Sequence, residues 1–165
     1  MRSVSEVVMG MDDEIWRRHA SPWSVYTRVP TILLFTLAIW SRFWIGWWAI
    51  VPISIVAIWT FLNPRLFAPP THFDGWAQRV VLGEQIWIER KKRSIPFHHR
   101  RAATLLLIAT ALCCLPLIYG LVWRNPWAAF GGATLLSTFK LWFCDRMAWL
   151  QRDMAQRGEA NASDV

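Results

Sequence analysis

The sequence predicts an all-α, polytopic membrane protein with four transmembrane helices and an interfacial amphipathic helix between the second and third. Three observations predict it. Of 165 residues, 55% are hydrophobic and 15% aromatic, with 13 Trp and a mean hydropathy of +0.25, a combination rare in soluble domains of this size. The apolar residues are gathered into four long stretches. The basic residues, in turn, fall almost wholly at one end of those stretches.

Residues 1–21 form a charged, mixed N-terminal segment without the apolar run and small-residue cleavage site of a signal peptide, so the first span is expected to insert the chain. That span covers residues 22–40, with Ser21 as cap and Pro22 at the first helical position, where a missing N–H loses nothing. Its 19 positions give about 28 Å, close to the thickness of a bilayer core. Arg28 sits near its inner end and can snorkel. The second span, residues 43–62, carries no charge and contains Pro52, which is expected to kink it. Only Ser41 and Arg42 separate the two, predicting a tight helical hairpin.

Residues 63–101 open with the breaker-rich "NPRLFAPP" and continue with Phe73, Trp76, Val80, Gly83 and Trp87 at helical spacing. That pattern predicts a helix lying in the interface plane, against the alternative of a small soluble helix packed on its own loop. The third span covers residues 102–123 and is free of charge, with Pro116 inside. The fourth covers 126–143, capped by Asn125, with Gly131-Gly132 for close helix approach and Lys140 near its end, where snorkelling is expected. Residues 144–165 continue that helix beyond the bilayer and end in a frayed tail.

Sixteen of the eighteen Lys and Arg lie on the side of the termini and of residues 63–101, leaving Arg42 and Arg124 on the other. By the positive-inside rule both termini and the central segment are cytoplasmic, in a cell (inner) membrane protein. A net charge of +7 would also suit nucleic acid, but four apolar stretches and no recognisable nucleic-acid motif exclude that class. Cys113, Cys114 and Cys144 show neither zinc spacing nor a disulfide framework. No nucleophile motif, phosphate-cradling glycine loop or haem site is present, so no cofactor is expected and no catalytic residue can be named.

All four histidines lie on the basic side, where two readings compete. His19, His98, His99 and Asp145, with His72 in reserve, could converge as nitrogen and oxygen ligands of a metal. Against this, neighbouring His98 and His99 point about 100° apart on a helix, and the paired histidine boxes of membrane di-iron enzymes are absent. The other reading makes His98, His99, Arg100 and Arg101 a polar collar at the headgroups. The tryptophans form two belts, Trp40, Trp44, Trp47, Trp48, Trp123 and Trp127 at one interface and the remaining seven at the other, as indole favours. In "KLWFCDRMAWLQRDM" one helical face carries Trp142, Arg146, Trp149 and Asp153. Asp145 and Arg146 could pair with groups of "RRHASPWSVYTR", the alternative being a solvated interfacial helix with weak pairs.

The words "HASPWSVYTR", "WSRFWIGWW", "NPRLF", "VLGEQIW", "IPFHHR" and "KLWFCDRMAWLQRDM", spread over His19 to Met154, resemble a family of small, Trp-rich bacterial and archaeal integral membrane proteins of unknown function. The resemblance implies a membrane location and a helical fold, and brings no activity with it. Its recurring polar positions map to His19, Ser24, Arg28, Asn63, Arg65, His98, His99, Asp145 and Arg146.

The function expected is therefore a non-enzymatic binding or accessory protein. Its anticipated surface for anionic lipid headgroups or a partner membrane protein comprises Arg28, Arg90, Lys91, Lys92, Arg93, His98, His99, Arg100, Arg101, Asp145 and Arg146. A homodimer is an open alternative for the partner, because four short spans bury little surface. The alternative from another class is a metal-dependent membrane enzyme acting on a lipid or another apolar substrate through His19, His98, His99 and Asp145. A small transporter is favoured less, since no span holds a mid-bilayer charge.

Overall fold

Proline and glycine divide this chain, and the apolar runs between them fold as helices. A computed structural model describes residues 13–72, 75–91 and 93–163. Most of the N-terminal segment, Phe73 and Lys92 lie outside the described residues. Among these the structure is all-helical: α1 (Asp13–His19), α2 (Pro22–Tyr26), α3 (Thr31–Trp40), α4 (Arg42–Ile45), a 3₁₀ turn (Gly46–Ala49), α5 (Ile50–Leu66), α6 (Trp76–Ile88), α7 (Phe97–Trp123) and α8 (Pro126–Ser163). The helical run 22–66 and helix α7 are each long and apolar enough to cross a membrane.

The first two expected helices are more broken than the sequence suggested. Residues 22–40 do not form one helix, because Pro30 has no N–H to donate and biases Val29 away from helical geometry; turns fill 27–30 between α2 and α3. Ser21 makes no side-chain cap bond. The second helix is interrupted at Gly46, whose φ of +57° few L-residues adopt, and resumes at Ile50. Pro52 therefore falls in the first turn of α5, where it costs no hydrogen bond, and the internal proline is Pro64. Helix α5 runs through the expected breakers Asn63 and Pro64 to Leu66.

Helix α7 starts at Phe97, five residues before the expected start of the third span, so His98 to Arg101 occupy its first turns. It ends at Arg124 in the left-handed conformation, and Asn125 Oδ1 then accepts from the Ala128 N–H at 3.1 Å to cap α8. The two helices cross closely. A Cβ on Gly120 would collide with the Ala129 backbone, and one on Gly132 would lie 2.6 Å from the Leu117 nitrogen. Gly131, by contrast, meets nothing.

Helices α3 and α5 pack as an antiparallel pair. At one end of the molecule Arg42 donates to the Leu121 carbonyl, and Arg42 and Arg124 stand 4.6 and 4.8 Å from the Phe43 ring centre. At the other end, Arg18 reaches the Arg65 carbonyl at 3.3 Å. The main buried cluster lies at this second end, where Trp87 of α6 meets Ala103 and Leu106 of α7 and Phe143, Met147 and Leu150 of α8. Phe143, Met147 and Leu150 recur at helical spacing, so the outer half of α8 has an inward apolar face. Gly83 lets α6 lie directly on α8, since a Cβ there would run into the Met147 carbonyl. Helix α6 is thus docked on α8 through Ala77, Val80, Val81 and Gly83 as well as Trp87.

Candidate functional site

Two polar assemblies occupy the α6 end. The first grows from the short helices that Pro22 and Pro30 delimit. Arg28 donates from Nε to the Ser24 carbonyl (2.7 Å), from Nη1 to His19 Nε2 (2.9 Å) and from Nη2 to Ser24 Oγ (3.3 Å). Ser24 Oγ donates to Asn63 Oδ1 (2.9 Å), and Asn63 Nδ2 donates to Thr27 Oγ1 (2.8 Å), which donates to the Trp23 carbonyl (2.6 Å). Arg28 only donates, the Trp23 carbonyl only accepts, and Ser24, Asn63 and Thr27 between them do both, so the chain of bonds is consistent from Arg28 to Trp23. Ser24 and Asn63 are fully buried.

His19 receives the guanidinium N–H on Nε2, which assigns its own proton to Nδ1, a buried atom without a protein partner. Burial, then the charges of Arg28 and Lys140, hold its pKa down at about 3. His19 is therefore neutral at physiological pH. Among the described residues every hydrogen-bond acceptor of Arg28 is neutral, and the carboxylate whose charge it feels, Glu84, is the one paired with Lys140.

Beside this network lies a cavity of about 420 Å³, walled by α6, α8, the start of α3 and the segments before it. Its polar lining includes His19, Arg28, Glu84, Ser137 and Lys140, set among apolar side chains such as Ile32 and Val80. The Lys140 side chain is 47% exposed and reaches an acid. Its Nζ pairs with Glu84 Oε1 at 3.3 Å, an acid supplied by α6. One carboxylate thus faces two cations, leaving one positive charge in a mostly apolar chamber. Trp16 and Trp76 also line it, so two of the belt tryptophans serve the cavity.

The second assembly joins α7 to α8. His99 Nε2 lies 2.7 Å and His98 Nε2 3.6 Å from the same oxygen, Asp153 Oδ2, and the two rings are 4.2 Å apart. The hydrogen bond from His99 holds the Asp153 carboxyl below its usual pKa. Among the described residues these three form the one group of His, Cys, Asp or Glu whose donor atoms, all within 4.8 Å, could hold a metal ion.

The expected ligand set is thereby rearranged. His98 and His99 do converge, because the first turn of α7 lets two long imidazoles reach one carboxylate despite the angle between their Cβ bonds. Their acid is Asp153, and His19 belongs to the cavity network. Asp145 accepts from Trp76 Nε1 at 3.0 Å and so anchors α6, while Arg146 stands 6.0 Å from the Trp149 ring centre. Neither makes the pair with the N-terminal helices that the sequence allowed. His72 is exposed. Of the basic rim, Arg90 donates to the Trp87 carbonyl (3.1 Å), Arg93 pairs with Glu89 (2.7 Å), and Lys91, Arg100 and Arg101 are exposed. Glu84 had no signal of its own beyond being a polar residue next to an apolar helix face, whereas Asn63 stood among the recurring polar positions of the resemblance.

No curated protein and no solved structure matches the chain. A family model described as "Family of unknown function (DUF6653)" matches residues 3–165.

Proposed function

We propose, for a chain that belongs to the DUF6653 family of unknown function, that it is a four-span membrane protein that binds an anionic amphiphile in the cavity at its α6 end. The spans of this reading are residues 22–40, 43–62, 102–123 and 126–143, with α6 and both termini cytoplasmic. Its support is chemical. Only 6% and 17% of the most apolar windows of 22–66 and α7 are buried within the protein, too little for core helices of a soluble domain. Trp47, 94% exposed, and Trp127 at the end away from α6 suit an interfacial belt. Sixteen of the eighteen basic residues are placed on the α6 side by this topology.

One observation carries the choice of ligand: Arg28 and Lys140 share a mostly apolar cavity with a single carboxylate, Glu84. A part-buried cation whose hydrogen-bond partners among the described residues are all neutral favours an anion, and apolar walls favour a hydrocarbon tail. A phosphate or carboxylate on an acyl chain meets both demands. The exposed Arg90, Lys91, Arg93, Arg100 and Arg101, with Lys92, supply a collar that draws in anionic lipid, each contributing about 1 kcal/mol near the surface. The chemistry required is capture, not reaction, and a binding or accessory protein follows.

Equilibrium binding of radiolabelled dodecyl phosphate to the full chain, in nanodiscs of zwitterionic lipid, tests the reading. Saturable binding at one molecule per chain is expected, weakened at least tenfold by Arg28→Gln and unchanged by a substitution of the exposed His72, His72→Ala. Competition by dodecanol equal to that by dodecanoate, or an Arg28→Gln variant binding like the wild type, would overturn it.

A further inference from the structure

We propose that His98, His99 and Asp153 form a binding site for one divalent transition-metal ion of the zinc class, clipping the start of α7 to the outer part of α8. None of the three residues lines the cavity, so this site stands independently of the amphiphile reading.

The donor set comes first. Two imidazole nitrogens and one carboxylate oxygen are borderline ligands, suited to zinc, cobalt, nickel or copper more than to magnesium or calcium, which prefer an all-oxygen shell. The geometry follows. In a tetrahedral zinc site, metal–ligand bonds of about 2.0–2.2 Å put the donors roughly 3.3 Å apart. Here both Nε2 atoms already address one carboxylate oxygen, at 2.7 and 3.6 Å, and small side-chain rotations bring them to that spacing. Binding moves the His99 proton from Nε2 to Nδ1, so the Nε2–H···Oδ2 hydrogen bond to Asp153 is exchanged for metal bonds to Nε2 of His99, a ring nitrogen of His98 and a carboxylate oxygen of Asp153.

The setting separates a fixed ligand from a mobile one. The His99 side chain is 2% exposed and held by packing, whereas that of His98 is 63% exposed and can swing to complete the shell. Solvent access on the His98 side leaves room for a water as fourth ligand. Arg152, the charge next to Asp153, lines a separate shallow pocket with Arg79 and Asp145. The exposed Arg100 and Arg101 remain in solvent. A bound ion would bridge residues 54 apart in sequence, His99 and Asp153, and would fix the extension of α8 against the first turn of α7.

The test uses the full chain in neutral detergent, stripped with EDTA, titrated with Co²⁺ and then with Zn²⁺. Ligand-field absorption is expected to saturate at one Co²⁺ per chain and to be abolished by one equivalent of Zn²⁺. Asp153→Asn and His98→Ala should each weaken binding at least tenfold, and His72→Ala should leave it unchanged. His98 is exposed, so its variant keeps the test sound even where a substitution of buried His99 prevents folding. Absence of saturable absorption, or Asp153→Asn binding like the wild type, would overturn the site.

Discussion

Arg28 donates a hydrogen bond to Nε2 of His19 at 2.9 Å, and both side chains line the same cavity. That bond requires a neutral imidazole. It joins the protonation of one residue to the position of the cation on which the proposed ligand depends.

A pH dependence follows, with a fixed sign. The pKa of His19 falls from 6.5 to about 3 on folding, so the unfolded chain binds more protons than the folded one between those values. Stability contributed by neutral His19 is complete above pH 6.5 and is lost as pH falls toward 3. At pH 5 the loss amounts to about 2 kcal/mol. Thermal unfolding in detergent should show a midpoint falling from pH 7 to pH 5 in the wild type, and a shallower fall in His19→Gln.

Asn63 is the centre of the bond chain that holds α2 against α5. Asn63→Leu would leave the buried Ser24 hydroxyl proton without its acceptor, at a cost of about 1–3 kcal/mol, and would take from Thr27 Oγ1 the N–H it accepts. Its unfolding midpoint should drop clearly, with weaker dodecyl phosphate binding as Arg28 loses its support. Asn63→Asp, which keeps an acceptor for Ser24, should disturb the fold less.

Gly83 and Gly131 make a matched pair of opposite expectation. Gly83→Ala would drive a methyl group into the Met147 backbone and lift α6, destabilising by about 1–3 kcal/mol. Gly131→Ala meets no atom within 4 Å in a helix interior and should be neutral, or more stable by up to about 1 kcal/mol. Hydrogen exchange resolved over residues 76–88 should accelerate in the first variant alone.

The Trp76–Asp145 hydrogen bond fixes the N-terminal end of α6 over α8. Asp145→Ala should loosen that end and raise proteolysis in residues 67–76. Asp145→Asn, still offering a carbonyl oxygen, should cleave at nearly the wild-type rate.

Helices were legible in the sequence wherever apolar runs exceeded the reach of a single proline. Thus α7, the Asn125 cap and the long extension of α8 followed from local pattern. The interruptions at Pro30 and Gly46 were not, because a hydrophobic run conceals how one backbone position departs from helical geometry. His19, Arg28, Ser24 and Asn63 stood out as polar words, yet their meeting depends on the α3–α5 hairpin and so on contacts some 40 residues apart. The partner of His98 and His99 was obscured for the same reason. Asp145 and Asp153 sit two helical turns apart on α8, and only the register of α7 against α8 selects the second. Glu84 acquires its role solely from the docking of α6, which brings it to Lys140 across 56 residues.

The central claim is that Arg28 retains an anionic amphiphile. Native mass spectrometry of the full chain, released gently from its own membrane, tests it most directly. The account predicts one anionic, acyl-bearing adduct per wild-type chain, and its loss in Arg28→Gln while that variant stays folded. Identical adducts on both proteins, or a wild-type chain that carries only neutral lipid, would contradict it.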